Sequence, residues 1–356
     1  MKKLTQDEID ASLKLLDNWH AVGDAIEKKF VFKNHINAFG FLAKIAILAE
    51  KADHHPNWSG VYNKVTIMLT THDLGGVSGK DINFAKEVDG FDKDWVWYFR
   101  NHKMKLLNKP YFDQFQKQIG NDVKGYIQHF DFGSQNTDLG YQTQASAVYS
   151  SNIEGNSIDL NSFMNYKLSR DKPKPQKELQ EIEDLISAYE FAQTAVLNEK
   201  NLLKVHKMLS RKLVISSLRG KYRNDKVGVF GESGLVYLAV EAQFVAGIMQ
   251  AFLSEIVALT AQKLTEADAF YFAALIHLRF AHIHPFRDGN GRTARLLEKW
   301  FLAQMLGANF WKISSEKYYK DHQAEYYKNI NLGVNFYELD YSKCLPFLAM
   351  LPNCLK

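Results

Sequence analysis

The stretch His284-Pro285-Phe286-Arg287-Asp288-Gly289-Asn290-Gly291-Arg292-Thr293-Ala294-Arg295 decides how the larger part of this chain folds. Upstream, Ala269 to Ile283 (AFYFAALIHLRFAHI) contains no proline or glycine and is too long for a strand. Downstream, Arg292 to Leu302 is again free of breakers, so both flanks read as helices. The glycines therefore occupy a tight turn between two helices. The second helix opens on free backbone N–H groups at the positive end of its dipole, an arrangement that binds anions.

The residue types in this turn suit a polyphosphate. Glycine lets the backbone come close to phosphate oxygens, which a Cβ would hold off. Asp288 offers a hard oxygen for a magnesium ion that bridges phosphates. Arg292 and Arg295, three apart, share a helical face from which two guanidinium forks can grip phosphate. His284 is placed to take a proton from an incoming hydroxyl. A plain surface loop with a salt-bridged arginine pair would have to meet five demanding positions by coincidence.

HPFRDGNGR followed by Thr-Ala-Arg resembles the Fic family signature, HPFx(D/E)GNGRxxR, at every position. The resemblance implies transfer of AMP from ATP to a Tyr, Thr or Ser hydroxyl of a target protein. It makes His284 the general base, Phe286 the core anchor of the loop and Asp288 the holder of Mg²⁺. Gly289, Asn290 and Gly291 would form the anion hole, with Arg292 and Arg295 on the β- and γ-phosphates. Upstream, Ser150-Ser151-Asn152-Ile153-Glu154-Gly155-Asn156 is similar to the family's inhibitory motif, (S/T)xxxE(G/N). There the glutamate pairs with the second motif arginine, here Arg295, and keeps the γ-phosphate from seating; one carboxylate competes with one phosphate for one guanidinium. Read locally, Glu154-Gly155 is simply a helix C-terminus, and that holds in either case. Some relatives with this arrangement also remove AMP.

Two short apolar runs, Val227–Phe230 and Leu235–Tyr237, flank Gly231-Glu232-Ser233-Gly234 and read as a β-hairpin. It resembles the Fic flap, which holds a target segment by strand addition. The resemblance also places Val229, Phe230 and Tyr326 against ATP, although tyrosines at helical spacing, such as Tyr318-Tyr319 and Tyr326-Tyr327, are more often plain core.

The first hundred residues carry an independent pattern. Thr5 and Glu8 form a capping box that opens a helix. Phe30-Val31-Phe32 reads as a short strand, and Ile36 to Glu50 repeats apolar residues at helical spacing. Val65, Ile67 and Leu69 alternate with polar positions, so 61–70 reads as a half-buried strand, and Ser78 with Asp81 caps another helix. Glu50, His54, His55, Tyr62, His72 and Asp81 gather near one sheet end, which suits proton transfer or a metal. The same residues resemble the pterin-4a-carbinolamine dehydratase signature, [EDKH]xxxH[HN]P…Y…H…D. That resemblance implies an α+β fold, a four-stranded antiparallel sheet with helices on one face. It implies metal-free dehydration of a 4a-hydroxytetrahydropterin by His54, His55 and His72, with Glu50 and Asp81 in support. Metal ligation is the competing reading. Adjacent histidines on a regular element rarely point the same way, which counts against it.

The expected organisation is multi-domain. An α+β dehydratase-like domain spans 1–98, a connector 99–135 and an all-α Fic domain 136–356, with an inhibitory helix at about 142–156 and a small β-hairpin flap. At 356 residues the chain has the length of about two domains. Its apolar share of 46% and charged share of 24% are those of globular protein. Residues 1–100 carry 13 basic and 14 acidic side chains, a net −1, so residues 101–356 carry +5 and the whole chain +4. That mild excess suits ATP phosphates and argues against nucleic acid as the partner. The basic run 170–175 reads as a loop between helices. No stretch of about 18 uncharged apolar residues exists, so no membrane span is expected. The first residues lead into a polar capped helix, and the two cysteines, Cys344 and Cys354, build no disulfide framework, so the cytoplasm is expected. Expected partners are ATP with Mg²⁺, a reduced pterin, a hydroxyl-bearing target protein and a second copy of the chain. In the alternative reading the N-terminal domain is a non-catalytic module for oligomerisation or ligand sensing that regulates the Fic domain.

Overall fold

The computed structural model describes residues 2–32, 35–93, 106–132, 139–169, 177–231 and 234–356. The chain divides into two compact units, Met1–Asn101 and His102–Lys356.

The first unit is α+β. Helix α1 (Gln6–Leu13) starts on the expected capping box: Glu8 N–H donates to Thr5 Oγ1 at 3.3 Å, and Thr5 N–H donates to Glu8 Oε2 at 2.9 Å. Strands β1 (His20–Val22), β2 (Ala25–Val31), β3 (Asn57–Val61) and β4 (Lys64–Leu69) form one antiparallel sheet in the order β1-β2-β4-β3. The β2–β4 register pairs Ile26 with Leu69, Lys28 with Ile67 and Phe30 with Val65, so one face of the sheet is buried throughout. Helices α2 (His35–Ala52) and α3 (Gly79–Lys93) pack on that face through Phe41, Ile45, Leu48, Ile82, Phe84 and Val88. The inward Lys28 is matched by Asp89 at 2.8 Å, which also accepts from Trp19 Nε1 at 2.8 Å. Two strand limits differ from the sequence reading. β2 begins at Ala25 and stops at Val31, and residues 61–70 divide between the end of β3, a turn at Tyr62-Asn63 and β4. β1 and β3 are exposed along their whole length and show no alternation from which they could be read.

The second unit is helical. Residues 106–132, read from the sequence as connector, belong to it. They form helical turns and α4 (Asn121–His129), bury Phe115 and Val123, and join Lys109 to Asp268 at 2.6 Å. The remainder of 99–135, and the basic loop 170–175, fall outside the described residues. There follow α5 (Leu139–Ile153), α6 (Leu160–Leu168), α7 (Lys177–Thr194) and α8 (Glu199–Leu209), then strands β5 (Gly228–Gly231) and β6 (Gly234–Leu238). The chain continues with α9 (Ala242–Thr260), α10 (Glu266–Ile283), α11 (Asn290–Leu306), α12 (Ser315–Asp321), α13 (Gln323–Ile330) and α14 (Leu345–Asn353). α10 is apolar all round and buried along nearly its whole length, so it forms the centre on which α11, α9 and α14 pack. α9 is long and apolar enough to cross a membrane by length and composition. Here it buries Val245, Met249, Phe252 and Ile256 and carries Glu255, whose carboxylate accepts from Leu106 N–H.

Candidate active sites

α10 ends at Ile283, and His284 caps it in the left-handed region, φ 51° and ψ 58°. A residue with a Cβ holds such a conformation only where its surroundings impose it. Arg223 supplies much of the constraint. Its Nε donates to His284 O at 2.7 Å, its Nη2 to Val240 O and to Ile283 O at 3.4 Å, and its Nη1 to Asp225 O at 2.9 Å. Its backbone N–H donates to Pro285 O at 2.9 Å. These bonds satisfy carbonyls that the helix end leaves unpaired. His284 Nδ1 lies 3.2 Å from Ala281 O, so that nitrogen carries the proton and Nε2 keeps its lone pair. Burial, with the Arg223 charge adding to it, holds the imidazole pKa below its ordinary value.

The turn is locked from inside. Asn290, buried, accepts from Phe286 N–H through Oδ1 and donates to Phe286 O through Nδ2, both at 2.9 Å. Its amide is thereby committed to the loop, which leaves backbone N–H groups as the free donors the turn can offer. Phe286 is fully buried and stacks on His206, ring centroids 3.6 Å apart and planes within 4°. Gly289 sits at φ 80°, where a Cβ would press on Leu209 and Leu213. Asp288 is exposed; its Oδ1 accepts from Gly289 N–H at 2.6 Å.

The two arginines meet two carboxylates. Arg295 is fully buried and donates to Ser150 Oγ at 2.9 Å, Ser150 O at 3.0 Å, Tyr326 Oη at 3.2 Å and Glu154 Oε1 at 2.7 Å. Arg292 lies 3.7 Å from Glu181 Oε2, and its buried Nε has no hydrogen-bond partner among the described residues. Glu154 follows the last turn of α5, ahead of Gly155 at φ 91°. Burial disfavours its charge, but Arg295 and Arg292 outweigh that and hold its pKa below the ordinary carboxylate value. A Cβ on Gly291 would fall 2.2 Å from Glu154 Oε1, so the carboxylate rests directly on the glycine backbone. Among the other expected nucleotide contacts, Val229 lies on β5 and is partly exposed, whereas the Phe230 side chain falls outside the described residues. Tyr326 is buried behind Arg295 and reaches the site only through that guanidinium.

In the first unit, His54 and Asp81 come together. His54 Nε2 lies 2.7 Å from Asp81 Oδ1, and Asp81 Oδ2 accepts from Thr71 Oγ1 and Ser78 N–H, both at 2.7 Å. The fully buried carboxylate thus accepts a hydrogen bond from Nε2–H, which leaves the lone pair of His54 on Nδ1. His55 points the other way, exposed, with Glu50 Oε2 at 3.4 Å from Nε2. His72 opens an exposed turn at the end of β4, and Tyr62 occupies the β3–β4 turn at φ 54°. Among the described residues no three His, Cys, Asp or Glu side chains converge to hold a metal.

Comparison with known proteins separates the same two parts. Residues 2–91 match the family model described as pterin 4 alpha carbinolamine dehydratase, and residues 196–302 match that of the Fic/DOC family. A relative from Rhodopseudomonas palustris (strain BisB18), assigned as a pterin-4-alpha-carbinolamine dehydratase, is 46% identical over 91 residues, which are 25% of this chain and 90% of the relative. One from Prochlorococcus marinus (strain NATL2A), with the same assignment, is 44% identical over 86 residues, 24% of this chain and 90% of the relative. The chain belongs to the pterin-4a-carbinolamine dehydratase family and also carries a Fic domain. For the helical unit, the solved structure of a Fic family protein from Desulfovibrio desulfuricans G20 shares the fold. Its TM-score is 0.54 at 22% identity, over 71% of this chain and 74% of that one.

Sequence reading missed two residues that hold the Fic loop. His206 Nδ1 accepts from Gly220 N–H at 3.0 Å, so its Nε2–H donates to Asp288 O at 2.9 Å. Burial lowers its pKa to about 4, and the ring stays neutral under Phe286. Neither His206 nor Arg223 carries a local pattern; the loop and helix-end carbonyls they bond lie 60 to 82 positions away.

Proposed function

We propose that the Fic domain transfers AMP from ATP to a side-chain hydroxyl of a protein, held in check by Glu154. The observation that carries this reading is the Glu154 carboxylate lying on Gly291 and bonded to Arg295, where the anion hole and its second arginine meet. In the transfer, the target hydroxyl oxygen bonds to the α-phosphorus as the bond to the β-phosphate oxygen breaks, and pyrophosphate leaves. His284, neutral because its pKa is lowered, takes the hydroxyl proton at Nε2. The N–H groups at the start of α11, with Arg292 and Arg295, bind and align the phosphates. Asp288 is an exposed hard carboxylate beside that helix start and is the residue that would hold a Mg²⁺. Bound there, it would supply charge neutralisation for the phosphates.

Removal of AMP is a second reading, favoured by one observation: Glu154 and His284 lie close enough for each to shift the other's pKa. A carboxylate there can take a proton from a water whose oxygen bonds to the phosphorus of an AMP-modified side chain; His284, in its protonated form for this direction, gives Nε2–H to the departing side-chain oxygen and AMP is released. For the N-terminal unit we propose dehydration of a 4a-hydroxytetrahydropterin, with His54 set by Asp81 as the buried base. Incubation with labelled ATP, Mg²⁺ and cell lysate tests the transfer. Glu154→Gly should label protein more strongly than wild type, and His284→Ala should abolish labelling. Undiminished labelling by His284→Ala refutes the assignment.

A further inference from the structure

Behind Arg295 lies a buried series of side chains that the transfer reading does not use. Arg295 Nη1 donates to Tyr326 Oη at 3.2 Å; Tyr326 Oη lies 3.0 Å from His277 Nε2; His277 Nδ1 lies 2.7 Å from Glu298 Oε2. Tyr319 Oη closes the far end on Glu298, 3.0 Å from Oε1 and 2.9 Å from Oε2. The members come from α10, α11, α12 and α13, and each is buried.

Donors and acceptors balance in one arrangement. Glu298, a carboxylate, accepts from His277 Nδ1–H and from the Tyr319 hydroxyl. His277 Nε2 then carries a lone pair and accepts the Tyr326 O–H, which leaves the phenol oxygen's lone pairs for Arg295. The opposite tautomer aims two N–H groups at one phenol and sets a bare ring nitrogen against a carboxylate. The buried carboxylate thus fixes, through one imidazole, which way the Tyr326 hydroxyl points.

Of the four acceptors on Arg295, three sit on Glu154 and Ser150, at the end of the helix that carries the brake. Tyr326 is the acceptor that comes from elsewhere. We propose that Tyr326, aligned by His277 and Glu298, is a positioning residue that keeps Arg295 in place for the terminal phosphate when Glu154 withdraws. This rests on the transfer reading, in which Arg295 meets terminal phosphate and not the AMP portion.

The test uses the full chain in the Glu154→Gly background, with Tyr326→Phe and His277→Gln added singly. Calorimetric titration with Mg²⁺ and either ATP or AMP reads the two dissociation constants, and circular dichroism checks the fold. Tyr326→Phe should weaken ATP binding about tenfold, the scale of one hydrogen bond to a charged group, and leave AMP binding unchanged. His277→Gln should shift the ATP-to-AMP ratio the same way by less, and carries the test if Tyr326→Phe does not fold. A merely structural role would leave that ratio where it is. An unchanged ratio in folded variants overturns the positioning proposal alone. Equal affinity of Glu154→Gly for ATP and AMP overturns the transfer reading beneath it.

Discussion

Replacing Gly291 by alanine separates two effects that Glu154→Gly combines. The new Cβ would stand 2.2 Å from Glu154 Oε1, 3.1 Å from its Cδ and 3.2 Å from Arg295 Nη1. Backbone strain is not the issue, since Gly291 lies in the first turn of α11, where alanine is favoured by about 1 kcal/mol over glycine. The Glu154 side chain is about a third exposed (32%) and can swing away, whereas Arg295 is held by Ser150 and Tyr326. The substitution therefore ejects the glutamate and breaks its 2.7 Å bond to Arg295. A charge-assisted bond of this kind contributes roughly 1.5–3 kcal/mol, so losing it alone would free the arginine by a factor of about 10–100. Glu154→Gly should raise labelling from ATP by about that factor. Gly291→Ala should not, because its methyl group occupies the space from which it drove the carboxylate. The assay is single-turnover labelling at saturating target, alongside ATP titration of each variant. Stimulation by Gly291→Ala equal to that of Glu154→Gly would refute the idea that phosphate and carboxylate share the surface of Gly291.

Further outcomes follow from other contacts. Asn290→Ala removes both bonds to the Phe286 backbone and should destabilise the Fic domain by about 2–4 kcal/mol; urea unfolding at pH 7 measures it, and a loss under 1 kcal/mol would contradict the locking role. His206 and His282, both buried, have pKa values lowered to about 4 from 6.5. The unfolded chain then binds more protons between those limits, so stability is full above about 6.5 and falls as pH drops towards 4, by at most roughly 3 kcal/mol for each ring. His206→Gln should flatten that slope between pH 6.5 and 4.5 in urea titrations; an unaltered slope would clear His206 of the effect. In the dehydratase unit, Asp81→Asn leaves His54 without its orienting carboxylate and should slow pterin dehydration by about 10²-fold, with the full chain assayed in chelator. Undiminished turnover would take His54 and Asp81 out of the reaction.

How much was legible depended on whether the constraint was local. His284 to Arg295 could be read because a turn, an anion site and two helix ends crowd into twelve consecutive positions, each restricting residue type. The capping box at Thr5, the helix cap formed by Ser78 with Asp81 and the alternation of Val65, Ile67 and Leu69 are equally local. β1 and β3 could not be seen, because exposed strands are fixed by pairing with β2 and β4 and bury no side of their own. Residues 106–132 looked like connector because Phe115 and Val123 are buried by contacts distant in sequence. Glu154 stood out only by resemblance, since nothing in its own neighbourhood says that an arginine 141 positions away will meet it.

The two histidines that matter most in the Fic domain show why such distant partners are needed. His284 is held in a left-handed conformation that a residue with a Cβ adopts at an energetic cost of order 1–3 kcal/mol. The loop itself cannot meet that cost, because its glycines add chain entropy and its proline donates no hydrogen bond. The offset comes from outside. Arg223 bonds the carbonyls of Ile283, His284 and Pro285, and His206 donates to Asp288 O while its ring lies flat on Phe286. His206 must be neutral for this, with Nδ1 as acceptor and Nε2 as donor, and burial keeps it so. One imidazole is thus buried to fix a turn so that another, four residues before Asp288, can present a bare Nε2. The motif specifies the chemistry, and residues without any motif hold it in shape.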